Sequence, residues 1–262
     1  MQKAAAVFAL VFALPPAGTQ AGRFEEQTYD SKVYGGPKRV WTYTPAAGNP
    51  AGLVVCLWGA DYVEQIPVRS ILDDLIARKQ VPPLAAVLVD DNDVRFQDFQ
   101  ATQTMTVSVS REVLPWARAH LHVPADSRRT IITGYSAAGL ASTYVALTHP
   151  DLVGNVLSQS GAFWRAFEGT GAEAPHWLAA QFDKAPPSGT TFYLEVGGGE
   201  TRVAGGVASL LEANRHLRDV LAKKGYSVAY EEVPDAQHEF GHWRSKFGDG
   251  LVSLTSRWSG TH

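Results

Sequence analysis

Seven short runs rich in apolar and β-branched residues recur along the chain, and several of them are apolar throughout instead of alternating. They are RVWTYTP (39–45), LVVCLW (53–58), LAAVLVD (84–90), TIITGYS (130–136), VGNVLSQ (153–159), TFYLEVG (191–197) and SVAYEEV (227–233). A strand that is apolar on both faces must be covered on both faces, as in a parallel sheet held between two layers of helices. Helical patterns fill the intervals. In VASLLEANRHLRDVLAKKG, Val207, Leu210, Leu211, Leu217, Val220 and Leu221 share one face, and Gly225 is placed to end the helix. SILDDLIARK, VSVSREVLPWARAH, AAGLASTYVALTH and FGHWRSKFGDGLVSLTSRW supply further helices. Strand and helix alternating on this scale predict a doubly wound, mostly parallel α/β sheet in one domain. Such sheets place their sites at the carboxyl ends of the strands.

Composition narrows the partners. The 262 residues are 45% hydrophobic, enough for one large core, and the net charge of -3 comes with no dense basic run, which excludes a nucleic-acid partner. Residues 1–21, MQKAAAVFALVFALPPAGTQA, carry a cation at Lys3, an apolar stretch from Ala4 to Leu14, and small residues near Ala17 and Ala21. That is the three-part layout of a secretory signal peptide, and its apolar stretch is too short to span a bilayer. Cleavage is expected after Ala21. It would leave one domain over 22–262, with no membrane span, in the periplasm or secreted. The single cysteine, Cys56, lies inside an apolar run and reads as a small buried hydrophobe.

The segment TIITGYSAAGLASTY carries the sharpest chemistry. A β-branched strand runs into Gly134-Tyr135-Ser136-Ala137-Ala138-Gly139, and a helix of small residues follows. This is the strand-turn-helix setting of a nucleophile elbow, with Ala138 where the second glycine of G-x-S-x-G usually stands. A nucleophilic serine needs a base, and the base needs an orienting carboxylate. In α/β-hydrolase folds these follow in the order serine, acid, histidine, each after a later strand. Glu200 follows TFYLEVGGG and His238 follows SVAYEEVPDAQ, so Ser136, Glu200 and His238 form the expected triad. Glu195 is an alternative acid and His242 an alternative base. The oxyanion hole is expected from the backbone N–H of Ala137 and, after the strand ending in LWGADY, that of Ala60.

His238-Glu239-Phe240-Gly241-His242 also fits H-E-x-x-H, the helix of zinc proteases. That chemistry requires a third ligand downstream, where only Asp249 and His262 could coordinate, and a helix through Gly241, a poor helix former. No metal and no cofactor are therefore expected.

Longer stretches, IPVRSILDDLIARKQVPPLAAVLVD, EVLPWARAH, RTIITGYSAAGLASTYVALTHPDLVGNVLSQSGAFW and AQHEFGHWR, resemble the enterochelin (enterobactin) esterase family, within the esterase D and feruloyl esterase group of α/β hydrolases. The resemblance covers most of residues 39–258 and is closer to the exported branch than to the two-domain cytoplasmic enzymes. It implies the same roles for Ser136, Glu200 and His238. It also implies cationic and aromatic side chains around the serine, for which Arg95, Trp164, Arg165, Trp243 and Arg244 are candidates. Trp58 departs from the family, which commonly has aspartate there. The implied activity is hydrolysis of a catecholate siderophore ester, a small-molecule substrate that could arrive loaded with iron. A feruloyl or acetyl polysaccharide esterase, an acyltransferase with the same triad, and a non-catalytic siderophore carrier remain as alternatives.

Overall fold

The structure is a computed structural model that describes residues 21–46, 48–90, 99–166, 176–204 and 208–260. The leader-like segment, apart from Ala21, lies outside these residues, as does Arg95.

An eight-stranded sheet organises the chain, in the order β1-β2-β4-β3-β5-β6-β7-β10. The strands are β1 (Arg23–Ser31), β2 (Gly36–Thr44), β3 (Gly52–Cys56), β4 (Leu84–Val89), β5 (Thr130–Tyr135), β6 (Asn155–Gln159), β7 (Thr191–Gly197) and β10 (Ser227–Val233). A small ladder of β8 (Val203–Ala204) and β9 (Ala208–Ser209) lies outside it. From β4 to β10 every pairing is parallel, whereas β1 and β2 form an antiparallel hairpin joined antiparallel to β4. This is the α/β-hydrolase arrangement that the apolar runs predict.

The two-sided cover is visible in neighbouring residues of β7. Phe192 meets Phe182 of α6 (Trp177–Lys184) edge to face at 5.7 Å, while a Cβ added at Gly250 of α8 (Phe240–Thr255) would touch Tyr193. On the α8 side, α2 (Val68–Ala77) packs against α8. On the other side α3 (Phe99–Ser108), α5 (Ser136–Thr148), α6 and α7 (Leu210–Lys223) touch in series. The inner strands β3, β4, β5 and β6 are buried at every position, but β10 is half-exposed along its length, as an edge must be. Charges protect that edge on both faces. Glu231 meets Lys246 of α8 at 2.6 Å, and Glu232 takes a two-pronged pair from Arg215 of α7 at 2.7 and 2.6 Å.

Besides α6 and the β8–β9 ladder, three features were not foreseen. The β1 strand, RFEEQTYDS, alternates exposed and buried residues and is rich in charge, so its apolar signal is weak. Its turn into β2 is held from afar: the Glu112 carboxylate accepts from the backbone N–H groups of Lys32 (2.8 Å) and Val33 (3.0 Å) and from the Ser31 hydroxyl (2.6 Å). The helix expected over 107–120 is longer and interrupted. A π-helical turn at Val109–Val113 separates α3 from α4 (Leu114–Leu121), just ahead of Pro115, which has no N–H to offer. Finally, a short helix α1 (Gly59–Glu64) follows β3 directly. At the other end of the chain α7 begins at Leu210, later than the sequence pattern from Val207 predicts (Val207 lies outside the described residues), with a reciprocal Ser209/Glu212 capping box, and Gly225 follows it at φ 83°.

Phe192 also meets Tyr226 edge to face at 5.5 Å, so it ties β7, α6 and the entry to β10 together. Phe192→Ala is expected to cost about 3–5 kcal/mol. A thermal melt should show the midpoint falling by roughly 6–20 °C, at about 2–4 °C per kcal/mol for a domain of this size.

Candidate active site

Three adjacent strands, β3, β5 and β6, each give way at their carboxyl ends to a residue in left-handed conformation: Trp58 (φ 57°), Ser136 (φ 52°) and Ser160 (φ 47°). Non-glycine residues rarely accept this geometry, and it clusters where a chain must turn sharply to present a group. Ser136 opens α5 directly after β5, as an elbow requires. The strand and helix backbones approach so closely that a Cβ at Gly134 would lie 2.5 Å from the Ala138 carbonyl carbon. The methyl of Ala138 fits because residue 134 has no side chain. On the far side, the Ala162 N–H donates to the Ser136 carbonyl at 2.9 Å, fixing the elbow to the loop after β6.

The candidate acid and base come from the ends of the next two strands. Glycines 197 to 199 precede Glu200, and their use is close contact. A Cβ at Gly197 would strike the Ala236 carbonyl, and the N–H groups of Gly198 and Gly199 donate to the carbonyls of Val233 (2.8 Å) and Ala236 (2.9 Å). The Glu200 loop therefore lies backbone against backbone on the His238 loop. Across that junction His238 Nδ1 stands 3.3 Å from Glu200 Oε2. With Nδ1–H donating to the carboxylate, Nε2 is left as an acceptor. Among the described residues no hydrogen bond joins Ser136 to His238, and such bonds are often loose before substrate binds. The other Glu200 oxygen is held by the Ser160 hydroxyl at 2.6 Å and the Gly197 N–H at 3.3 Å.

Beneath this pair lies a second one. Glu195, on β7 and without exposed surface, stands 3.0 Å from His242 Nε2, and His242 in turn lies 3.7 Å from Glu200 and 3.4 Å from Ser160 Oγ. The other Glu195 oxygen accepts from Gln159 Nε2 at 3.2 Å, whose second hydrogen goes to the Trp243 carbonyl at 2.8 Å. Burial pushes the Glu195 carboxyl above the usual carboxylate range, with the hydrogen bond and charge of His242 opposing. Glu195 and His242 are thus partners of each other, leaving Glu200 for His238. His238 precedes α8 in a loop while His242 lies within its first turn, so the two histidines do not share one helical face as a zinc helix would require. Glu239, between them, is exposed.

The expected oxyanion donors sit at two helix starts. Ala137 is the second residue of α5 and Ala60 the second of α1, where backbone N–H groups have no partner within the helix. A Cβ at Gly59 would lie 2.6 Å from the Leu88 and Val89 backbone, so only glycine lets α1 come so close to β4.

Among the residues expected to face a substrate, Trp243 needs correction. It is 2% exposed because its ring stacks on Tyr135 (4.5 Å, 25°), takes the edge of His238 (4.9 Å, 87°) and donates its N–H to Ser160 Oγ at 2.9 Å. It is a wall behind the Glu200–His238 pair. Arg244 is exposed, with Nε on the Gln65 carbonyl at 2.7 Å, beside a groove lined by Ser70, Asp74 and Gly248 between α2 and α8. Trp164 packs partly buried against the core, and the Arg165 N–H donates to the Ala162 carbonyl at 3.2 Å. Ser160, Gln159 and the Glu195–His242 pairing were missed. Their signal was polar residues, Ser158-Gln159-Ser160 and Glu195, at the ends of buried strands, where each needs a partner. Tyr135 and Asp61 were missed as well. Their 2.5 Å hydrogen bond ties the elbow to α1.

Residues 31–254 match the Esterase family, described as "Putative esterase". The chain is 29% identical over 221 residues to the iron(III) enterobactin esterase of Escherichia coli K12, covering 83% of this chain and 53% of that protein. It thus spans about half the length of the curated relatives it matches first. The crystal structure of the enterobactin esterase from Shigella flexneri in the presence of enterobactin superposes with a TM-score of 0.75 at 25% identity, over 90% of this chain and 60% of that one. A ferulic acid esterase from Anaeromyces mucronatus shares the fold at 16% identity, with a TM-score of 0.72 over 92% of this chain and 93% of its own. With an elbow serine, a carboxylate-bound histidine and a family match from the β1–β2 turn to the end of α8, the chain belongs to the Esterase family of α/β hydrolases.

Proposed function

We propose that the chain hydrolyses carboxylic esters through Ser136, His238 and Glu200, and that its substrate is a catecholate siderophore ester of the enterobactin type. The observation that carries the chemistry is the His238–Glu200 contact at 3.3 Å, formed at the carboxyl ends of β10 and β7 in the same rim as the Ser136 elbow. His238 Nε2 accepts the Ser136 proton as Oγ attacks the ester carbonyl. The N–H groups of Ala137 and Ala60 receive the negative charge that develops on the carbonyl oxygen. His238 returns the proton to the leaving alcohol. Water, deprotonated by the same imidazole, then cleaves the acyl-enzyme and restores the Ser136 hydroxyl. Glu200 keeps Nδ1 protonated throughout, so that Nε2 alone exchanges the proton.

The choice of substrate rests on the relatives, whose names are those of enterobactin esterases. The ferulic acid esterase likeness supports the fold alone. Export to the periplasm belongs to the same proposal and rests on the leader-like residues 1–21. Among the described residues no helix is long and apolar enough to cross a membrane.

Two outcomes test this reading. Mature protein given enterobactin, ferric enterobactin and a feruloylated sugar in parallel is expected to yield linear trimer or monomer from the siderophore, detected by mass spectrometry. Ser136→Ala should lower that yield by at least about 10³-fold; ferulate as the only product would sink the siderophore assignment. In steady-state assays Glu200→Gln should reduce kcat by roughly 10²–10⁴-fold, because an uncharged amide no longer selects the Nδ1–H tautomer. Glu195→Gln losing as much would transfer the acid's role to Glu195.

A further inference from the structure

Ser160 has one proton and two lone pairs, and the structure accounts for all three. The proton goes to Glu200 Oε1, the shortest of its contacts at 2.6 Å. One lone pair accepts from Trp243 Nε1 at 2.9 Å. The remaining contact, His242 Nε2 at 3.4 Å, can then only be a donor, so the ring carries its proton on Nε2. The same nitrogen lies 3.0 Å from Glu195 Oε1, but off the line of a hydrogen bond. Nδ1 of His242 is buried without a partner.

We propose that His242 is a positioning residue: acting through Ser160, and anchored by Glu195, it fixes the Glu200 carboxylate in the orientation that meets His238. This rests on the triad reading above. The chain of contacts runs from Glu195 on β7 to His242 on α8, to Ser160 after β6, to Glu200 after β7, to His238 after β10. Three separate segments, after β6, along and after β7, and from the end of the β10 loop into α8, are thereby locked at the point where Glu200 meets His238. The titratable groups facing His242 directly are Glu195 and Glu200. His238 stands one contact further off, across Trp243, and Tyr62 of α1 two, through Gln159 Oε1 at 3.4 Å and then Glu195. His242 itself touches no reacting atom. Its effect should therefore appear in turnover and depend on Glu200 being present.

The test is a set of variants of the mature chain, assayed for kcat and KM on a p-nitrophenyl ester and for labelling rate by a fluorophosphonate probe, with thermal melts in parallel. His242→Leu removes the N–H and is expected to lower kcat and labelling by about 10- to 100-fold, the scale of a misaligned catalytic contact. KM should stay within about threefold. His242→Gln returns an amide N–H near the Nε2 position and should recover kcat to within about threefold of the parent. In a Glu200→Gln background His242→Leu should cost less than about twofold in labelling, even though the melting point drops as it does in the parent background. Equal losses in both backgrounds, a KM effect in place of a kcat effect, or no rescue by Gln would each overturn the proposal and leave His242 a core residue. A parent protein that the probe does not label would overturn the triad reading and this inference together. A labelled parent with an unresponsive His242 would overturn the inference alone.

Discussion

A carboxyl group with no exposed surface must be met by donors, and Glu195 imposes that condition on the carboxyl edge of the sheet. Its needs draw in Gln159 from the neighbouring strand and His242 from the last helix. Gln159 then reaches the Trp243 carbonyl, and Trp243 reaches Ser160. Ser160 in turn binds Glu200. Each polar group recruited in this way is itself buried, so the obligation passes along until it ends at the half-exposed His238. A buried polar network is stabilising only when its members are satisfied. Here Nδ1 of His242 and Oε1 of Glu195, the latter close to His242 but off the line of a hydrogen bond, are the remainders.

The strands were legible because seven of them announce themselves by composition: a segment buried on both faces has little freedom in its residue types. The β1 strand was not, since one of its faces is wet and its sequence carries Arg23, Glu25, Glu26 and Asp30. Short helices such as α1 and α6 offer too few turns for a period to show. The π-helical turn at Val109–Val113 is invisible to periodicity because it shifts the phase of a single helix without interrupting its apolar pattern.

At the candidate site, the placement of Ser136, Glu200 and His238 just after strand ends could be read from chain order, since the order of strands is a property of the sequence. The division of labour between the two glutamates and the two histidines could not. Glu195 and Glu200 are five residues apart and His238 and His242 four, and only the packing of α8 on β7 decides which meets which. The glycines before Glu200 illustrate a related limit. They suggest freedom, yet in the folded chain they are where two main chains touch.

Ser160 has a consequence for which substitutions the rim can absorb. Its backbone is left-handed, at φ 47°, and its side chain is fully enclosed. Threonine carries the same hydroxyl, but its branched Cβ is at odds with that backbone. Tyrosine's ring has no room there. Glycine suits the backbone and discards the hydroxyl; asparagine suits it too, but brings a bulkier amide in place of the single O–H. Position 160 thus admits one residue that meets both demands, and sequence change that adapts this scaffold to a new ester is confined to the loops around it.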